Sequence, residues 1–361
     1  MKITNITTET YRWPRPKPIS NGKHTYTHVT LGLVKIETDE GTTGIGLGGG
    51  HPVVQAAIDH FTPRLLGQDP LNVERIWHDL WVPKLVGRRG MTTRAISAID
   101  IALWDLRAKA ANMPLYKLLG GFRDRVETYI AGGYYEEGKG LAELAREMQD
   151  NIAMGARAVK MKVGALSIRE DAERVRTVRE AIGPDVKLMV DANCAYKLYE
   201  AIQLAKRIEE YDPFWFEEPI AVDDYDGHRR LAEATTIPIA TGENEYTRYG
   251  FRDLIERRGV AILNADAVIC GGITEFMKIA HLAQAYDLDI APHGPQEVHV
   301  HLVAALSNGL ILEFYRDTVD PLWGKVYHHT LRLNEDGTVS PPDVPGIGID
   351  PNDEALAPYR I

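Results

Sequence analysis

Short apolar runs alternate with longer amphipathic stretches along most of the chain, and the rhythm changes once, near Arg125. Before that point, residues 29–38 alternate apolar and polar, Asp39-Glu40-Gly41 supplies a turn, and a strand pattern resumes at Thr43. This is the pattern of an antiparallel hairpin. From Val53 to about Leu118 the apolar spacing turns helical, and it stops at the pair Gly120-Gly121. Strands followed by helices predict an α+β domain over residues 1–124.

Beyond Arg125 eight strand-like runs can be placed, at residues 126–131, 158–163, 187–191, 214–217, 237–243, 263–268, 289–293 and 310–313. Helical stretches such as 141–154 and 169–182 separate most of them. Eight such units predict an α/β fold with a (β/α)8-type barrel, a modified TIM barrel, over residues 125–322, ahead of an open doubly wound sheet. The α+β domain then caps the barrel. The Pro-, Gly- and Asp-rich tail at 323–361 reads as a strap packing back on the capping domain.

Three acids give this architecture a chemistry. Asp191, Glu217 and Glu243 recur 26 residues apart, each closing an apolar run. A strand-helix-strand unit takes roughly 30 residues, so equal spacing puts the carboxylates at the same end of successive parallel strands. That end is where barrels build their sites. Three converging oxygen ligands, with no Cys or His among them, suit Mg²⁺ first and Mn²⁺ second.

The run Val159-Lys160-Met161-Lys162-Val163 alternates, placing both lysines on one face. The helix-facing side of a barrel strand must be apolar, so the lysines point inward. Two ammonium groups this close should lower at least one pKa, toward the ~7–8 of a lysine general base. Asp266 and His293 lie in the sixth and seventh runs and can meet across adjacent strands, the carboxylate orienting the imidazole. Glu313 is another acid in an apolar run, open on its chemistry alone between a site residue and a salt-bridged rim residue. Gly48-Gly49-Gly50-His51 lacks the surroundings of a phosphate loop and reads as an ordinary loop. His299 and His301 fall in a predicted helix and read as packing or surface residues.

Bulk properties narrow the function classes. With 44% apolar and 25% charged residues the chain is an ordinary soluble globule. A net charge of −10 and the lack of basic runs argue against a nucleic-acid surface. Cys194 and Cys270 fit no metal or redox spacing. No apolar stretch is long enough for a membrane span and Met1-Lys2-Ile3-Thr4 does not open a signal peptide, so a reduced, cytoplasmic protein is expected.

Taken in order, these residues resemble the enolase superfamily, and within it the mandelate racemase group. The resemblance runs from Ser97-Ala-Ile-Asp-Ile-Ala-Leu-Trp-Asp-Leu and Pro114-Leu-Tyr-Lys-Leu-Leu-Gly-Gly through Lys160-Met-Lys162, Val190-Asp-Ala-Asn193 and Glu217-Glu-Pro219. It continues in Thr241-Gly-Glu243-Asn, Asp266, Gly271-Gly-Ile-Thr, His293 and Glu313. It implies a Mg²⁺ site of Asp191, Glu217 and Glu243, with Lys162 and the His293–Asp266 pair as acid-base groups on opposite faces. A Lys or His base working beside Mg²⁺ is the established pattern of enolase-superfamily sites. The resemblance further implies that Lys160 meets a substrate carboxylate, that a protonated Glu313 donates to the enolate, and that Asn193 contacts substrate. Such enzymes take a proton from beside a carboxylate, which demands stabilisation of an enediolate.

The family's specificity loops lie in the capping domain. Here one reads Ser20-Asn-Gly-Lys-His24-Thr-Tyr26-Thr-His28, polar throughout, with His24 and Tyr26 as candidate substrate contacts. A polyhydroxylated sugar acid suits it better than an aryl group. The expectation is therefore an acid-sugar dehydratase, ahead of a racemase or epimerase, with lactone cycloisomerisation third. A Schiff-base aldolase and a catalytically silent relative are set aside, the first by the three-carboxylate cluster, the second because no catalytic position of the motif is replaced. A small sugar-acid carboxylate is the expected partner and a homo-oligomer the expected assembly.

Overall fold

The computed structural model describes residues 1–82, 84–316, 320 and 322–361. Strands β1 (Ile3–Ser20), β2 (Thr25–Thr38) and β3 (Thr43–Leu47) form an antiparallel meander in that order. The expected hairpin is thus the second half of a larger sheet. β1 escapes a pattern search because Pro14, Pro16 and Pro18 interrupt it, and its register slips between Pro14 and Ile19. Prolines lack the ladder N–H, and they sit here on an edge strand where none is missed. Helices Pro52–Leu65, Val73–Leu80 and Met91–Ala110 cover one face of the sheet, burying Val34 and Ile36 against Ile58, Phe61, Ile76, Ile99 and Leu103.

Eight parallel strands follow: β4 (Val126–Ala131), β5 (Ala158–Lys162), β6 (Lys187–Asp191), β7 (Pro213–Glu217), β8 (Ile239–Thr241), β9 (Ile262–Leu263), β10 (Asp289–Ile290) and β11 (Leu312–Phe314). Each pairs with its sequence neighbour from β4 to β10, and β11 pairs with β4. The ring closes through a parallel bridge between Ile290 and Gly309, with Leu310 N donating to Ile290 O at 2.9 Å. The fold is a (β/α)8-type barrel with an N-terminal α+β cap. Alternation sorts its strand residues into two layers. Ala158, Met189, Trp215, Ala240 and Ile311 fill the interior, while Val159, Met161, Val190, Phe216 and Ile239 pack outward on helix residues such as Met148, Val175 and Leu204.

Two of the sequence strings singled out above meet where the cap joins the barrel. Ser97 Oγ accepts from Gly271 N at 2.9 Å, and Asp100 accepts from Thr274 N at 2.9 Å and Thr274 Oγ1 at 2.6 Å. Asp100 thereby satisfies a free amide at the start of helix Gly272–Gln284. The C-terminal segment touches both parts of the molecule. Strand β12 (Thr338–Val339) pairs with β4, and Arg360 bridges to Tyr11 of β1. Among the described residues no helix is long and apolar enough to cross a membrane.

Candidate active site

The strand register aligns the acids as the spacing requires. Lys162 is opposite Asp191 on β5 and β6, and Asp191 is opposite Glu217 on β6 and β7. Glu243 lies two residues past β8, beyond Gly242, whose φ of 137° turns the chain out of the strand. β8, β9 and β10 are all shorter than their apolar runs suggest. Asp266 is the N-cap of a short helix, Ala267–Cys270, and His293 stands three residues past β10, so both lie on mouth loops and not in strands.

Asp191, Glu217 and Glu243 are buried, with one oxygen of each within 4.8 Å of the others. Asn193 N donates to Asp191 Oδ1 and Trp215 Nε1 to Glu217 Oε2, both at 2.8 Å. Burial pushes Glu217 up to about 7 against the pull of Lys160, and the charges of Asp191 and Glu243 add to the rise. Glu243 Oε2 is buried without a hydrogen-bond partner. Crowded, desolvated carboxylates with an orphaned oxygen, and no sulfur or nitrogen in the donor set, fit a hard divalent cation.

Both lysines point inward, as alternation requires, but their electrostatics reverse the expectation. Lys160 Nζ lies 2.8 Å from Glu217 Oε1 and 2.8 Å from Glu313 Oε1, and Lys162 is paired with Asp191. Burial alone would lower both lysines. Asp191 outweighs it at Lys162, and Glu217 with Glu313 outweighs it at Lys160, so both are held above the ordinary lysine value. Mutual repulsion between the two ammonium groups loses because each is in direct contact with a carboxylate. Lys160 is fully buried, its ammonium also donating to Tyr129 OH at 3.3 Å.

Asp266 and His293 meet, Oδ2 to Nδ1 at 3.2 Å. The other ring nitrogen, Nε2, faces Glu243 Oε2 at 3.6 Å and Glu313 Oε2 at 4.0 Å. Burial would lower His293, but Glu243, Glu313 and Asp266 together hold it well above its ordinary value. Glu313 is not a rim residue: it is fully buried and accepts from Gly294 N at 3.0 Å. The charges around it run against the expectation that it is protonated. Burial favours the acid form, yet Lys160, His293 and Lys162 outweigh it and hold Glu313 down at about 2. Gly294 permits the dyad: its φ is +95°, and a Cβ there would sit 2.6 Å from Asp266 Oδ2.

The polar stretch 20–28 is not an open loop but the tight end of the β1–β2 hairpin. Gly22 lets its turn press on the barrel mouth, where a Cβ would come within 2.6 Å of Ala195 Cβ. Tyr26 is exposed, its OH accepting from Asn21 Nδ2 at 3.0 Å, and Lys162 and Glu243 lie close enough to act on its ionisation, which partial desolvation of the hydroxyl raises. His24 stays exposed, its ring 6.4 Å from that of Tyr26. Asn193 is in the left-handed region (φ 44°) with its Oδ1 buried and unpartnered. Sequence reasoning missed Tyr134, whose ring centre is 5.3 Å from Lys162 Nζ, and Trp215, which alternation from Glu217 could have placed inward. His299 and His301 are wholly buried in helix Gln296–Ala305, not on the surface, and both are hydrogen-bonded to backbone.

Residues 3–120 match the N-terminal domain of mandelate racemase/muconate lactonizing enzyme, and residues 143–355 match the enolase C-terminal domain-like family. The chain belongs to the mandelate racemase/muconate lactonizing enzyme family. This enolase-superfamily protein is 37% identical over 336 residues to an arabinonate dehydratase of Saccharolobus solfataricus, covering 90% of this chain and 89% of that one. It matches the structure of the 3,6-anhydro-D-galactonate cycloisomerase of Zobellia galactanivorans with a TM-score of 0.91 and 38% identity over 100% of both chains. It also matches the L-talarate/galactarate dehydratase of Salmonella typhimurium LT2, liganded with Mg and L-lyxarohydroxamate. There the TM-score is 0.92 and the identity 33%, covering 100% of this chain and 93% of the other. The relatives of this family member therefore include both acid-sugar dehydratases and cycloisomerases.

Proposed function

We propose that this protein is a Mg²⁺-dependent dehydratase of an aldonic or aldaric acid. The observation that carries the reading is that a lysine and a histidine lie against different members of the acidic triad. Lys162 pairs with Asp191, while His293 Nε2 faces Glu243 from 3.6 Å. A substrate carboxylate seated at the triad would have its α-carbon between them.

Asp191, Glu217 and Glu243 would hold the cation. Bound there, it would supply positive charge to the substrate carboxylate and the enediolate oxygens, and would answer the charge of Asp191 that Lys162 otherwise meets. Lys162, as the neutral amine, takes the α-proton. His293, oriented by Asp266 and held protonated, donates to the β-hydroxyl as its C–O bond breaks, so water leaves. The resulting enol tautomerises to a 2-keto-3-deoxy acid. Lys160 contributes a fixed positive charge near the substrate carboxylate. Glu313, a carboxylate touching both Lys160 and Gly294 N, is better suited to anchoring Lys160 and His293 than to donating to the enolate. Tyr26, whose ionisation feels the charges of Lys162 and Glu243, and Asn193, with its free Oδ1, are the substrate hydroxyl contacts we assign; His24 at the hairpin end would follow only on a longer substrate.

A second reading is favoured by the relative of 38% identity that is a cycloisomerase. It uses the same proton-transfer pair but releases no water. A panel of aldonic and aldaric acids and their lactones with Mg²⁺ separates the two. Semicarbazide-reactive 2-keto product that disappears in Lys162→Ala supports dehydration. An isomer of unchanged mass, or inversion at the α-carbon without keto product, moves the assignment to cycloisomerase or epimerase.

A further inference from the structure

His299 stands directly behind the His293–Asp266 pair, on helix Gln296–Ala305, and the chemistry above leaves it without a role. Its side chain is fully buried, with its ring 5.9 Å from that of Phe276 and close to parallel. Nε2 accepts from Ala267 N at 3.0 Å, and Ala267 is the residue that follows Asp266. The same nitrogen lies 3.6 Å from Asp266 Oδ1. Nδ1 is buried without a hydrogen-bond partner, and Gly294, the residue that follows His293, has its backbone near enough to act on the ring's ionisation. The imidazole therefore holds the backbone segment that carries Asp266 and lies beside the one that carries His293.

The backbone amide of Ala267 can only donate, so Nε2 must present its lone pair and the ring proton must sit on Nδ1. That bond also settles the environment of Asp266. Asp266 Oδ1 accepts from Val268 N at 2.8 Å as an N-cap. With Ala267 N taken by His299, the carboxylate has no second amide of the helix start to turn toward, and Oδ2 is left to His293. Protonating His299 would break the Ala267 bond and place an imidazolium against the capped carboxylate. The charged and titratable groups facing the ring are Asp266, His293 and Glu313, and burial outweighs the two acids in keeping it neutral.

We propose that His299 is a positioning residue for the His293–Asp266 pair, acting as a neutral Nδ1–H imidazole that pins Ala267 and so fixes the direction of the Asp266 carboxylate. The role in turnover rests on the function proposed above, whereas the tautomer and the effect on His293 do not. Gln offers an amide oxygen that can accept from Ala267 N, while Leu has comparable bulk and no acceptor.

The test uses ¹⁵N-histidine-labelled, full-length protein with Mg²⁺. In wild type the His299 resonances should report a protonated Nδ1 and a bare Nε2 at pH 7. A protonated Nε2, or a charged ring at that pH, overturns the proposal without any variant being needed. His299→Leu should shift the His293 titration to lower pH, and His299→Gln should restore it. On the sugar acid that gives keto product, Leu should lose at least ~10-fold in kcat, the scale on which groups orienting active-site ligands act. Substrate KM and Mg²⁺ affinity should be unchanged, and Gln should stay within about threefold of wild type. A folded Leu variant with a wild-type His293 titration and kcat overturns the role. If no sugar acid turns over but the tautomer and titration shift are found, the function proposed above fails and the positioning role stands.

Discussion

Gly294→Ala is a single-methyl change whose consequence can be worked from the geometry of the dyad. The residue has φ +95°, a conformation that costs an L-residue about 1–3 kcal/mol. The added Cβ would lie 2.6 Å from Asp266 Oδ2, whereas ordinary contact starts at 3.4 Å. Relief therefore needs a relative shift of roughly 0.8 Å, and a misplacement on the order of 1 Å in a catalytic group costs about 100-fold in rate. The carboxylate cannot give way freely, because its other oxygen is held by Val268 N. The Asp266–His293 hydrogen bond starts at 3.2 Å, near the long end for such a bond, so the same shift breaks it. We expect kcat to fall about 100-fold and the melting temperature to fall by a few degrees, about that produced by ~1–3 kcal/mol. Mg²⁺ affinity should be unchanged, since Gly294 touches none of Asp191, Glu217 and Glu243. Steady-state kinetics, calorimetric Mg²⁺ titration and a thermal melt on one preparation give all three. A folded Ala variant with wild-type kcat would refute the claim that the Gly294 turn holds the dyad together.

Three further outcomes are expected. Asp191→Asn, Glu217→Gln and Glu243→Gln should each abolish calorimetric Mg²⁺ binding while far-UV circular dichroism stays native, and undiminished binding in any of them would remove that residue from the site. Lys162→Ala and His293→Asn should both lose turnover, but only the His293 variant should still exchange the substrate α-proton with D₂O by NMR; exchange confined to the Lys162 variant would swap the two roles. His301 is buried between Tyr116 N and Ile347 O, and burial lowers it to about 4 from an ordinary 6.5. Because the unfolded chain binds the proton more readily, this group's contribution is complete above pH 6.5 and is lost as pH falls toward 4, by up to ~3 kcal/mol. The gap between melts at about pH 7.5 and about pH 4.5 should therefore narrow in His301→Gln, and an unchanged gap would contradict the assignment.

The barrel and the triad were legible because strand spacing and side-chain alternation are periodic. Lys160, Lys162, Asp191 and Glu217 all follow from a period of two on strands whose outer face must be apolar. Glu243, Asp266 and His293 were found as residues but misplaced as strand residues, since Gly242 and the short helix at Ala267 end the strands early. β1 was hidden by its prolines. The lysine ionisation and the charge of Glu313 were not legible, because they depend on which carboxylates surround each ammonium in space. His299 gave no signal of its own. A histidine on an apolar helix face is normally a packed one, and its bond to Ala267 exists only once the barrel is closed.

A cation held by Asp191, Glu217 and Glu243 is, on this reading, required for proton removal beside a substrate carboxylate. The most direct measurement of that requirement is ¹H NMR of an aldonic or aldaric acid panel in D₂O with exhaustively chelated enzyme, before and after Mg²⁺ is restored. No loss of the α-proton signal is expected without the metal. On readdition that signal should disappear from at least one sugar acid, together with the appearance of deuterated 2-keto-3-deoxy product. α-Proton loss that proceeds undiminished in the chelated enzyme would contradict the requirement.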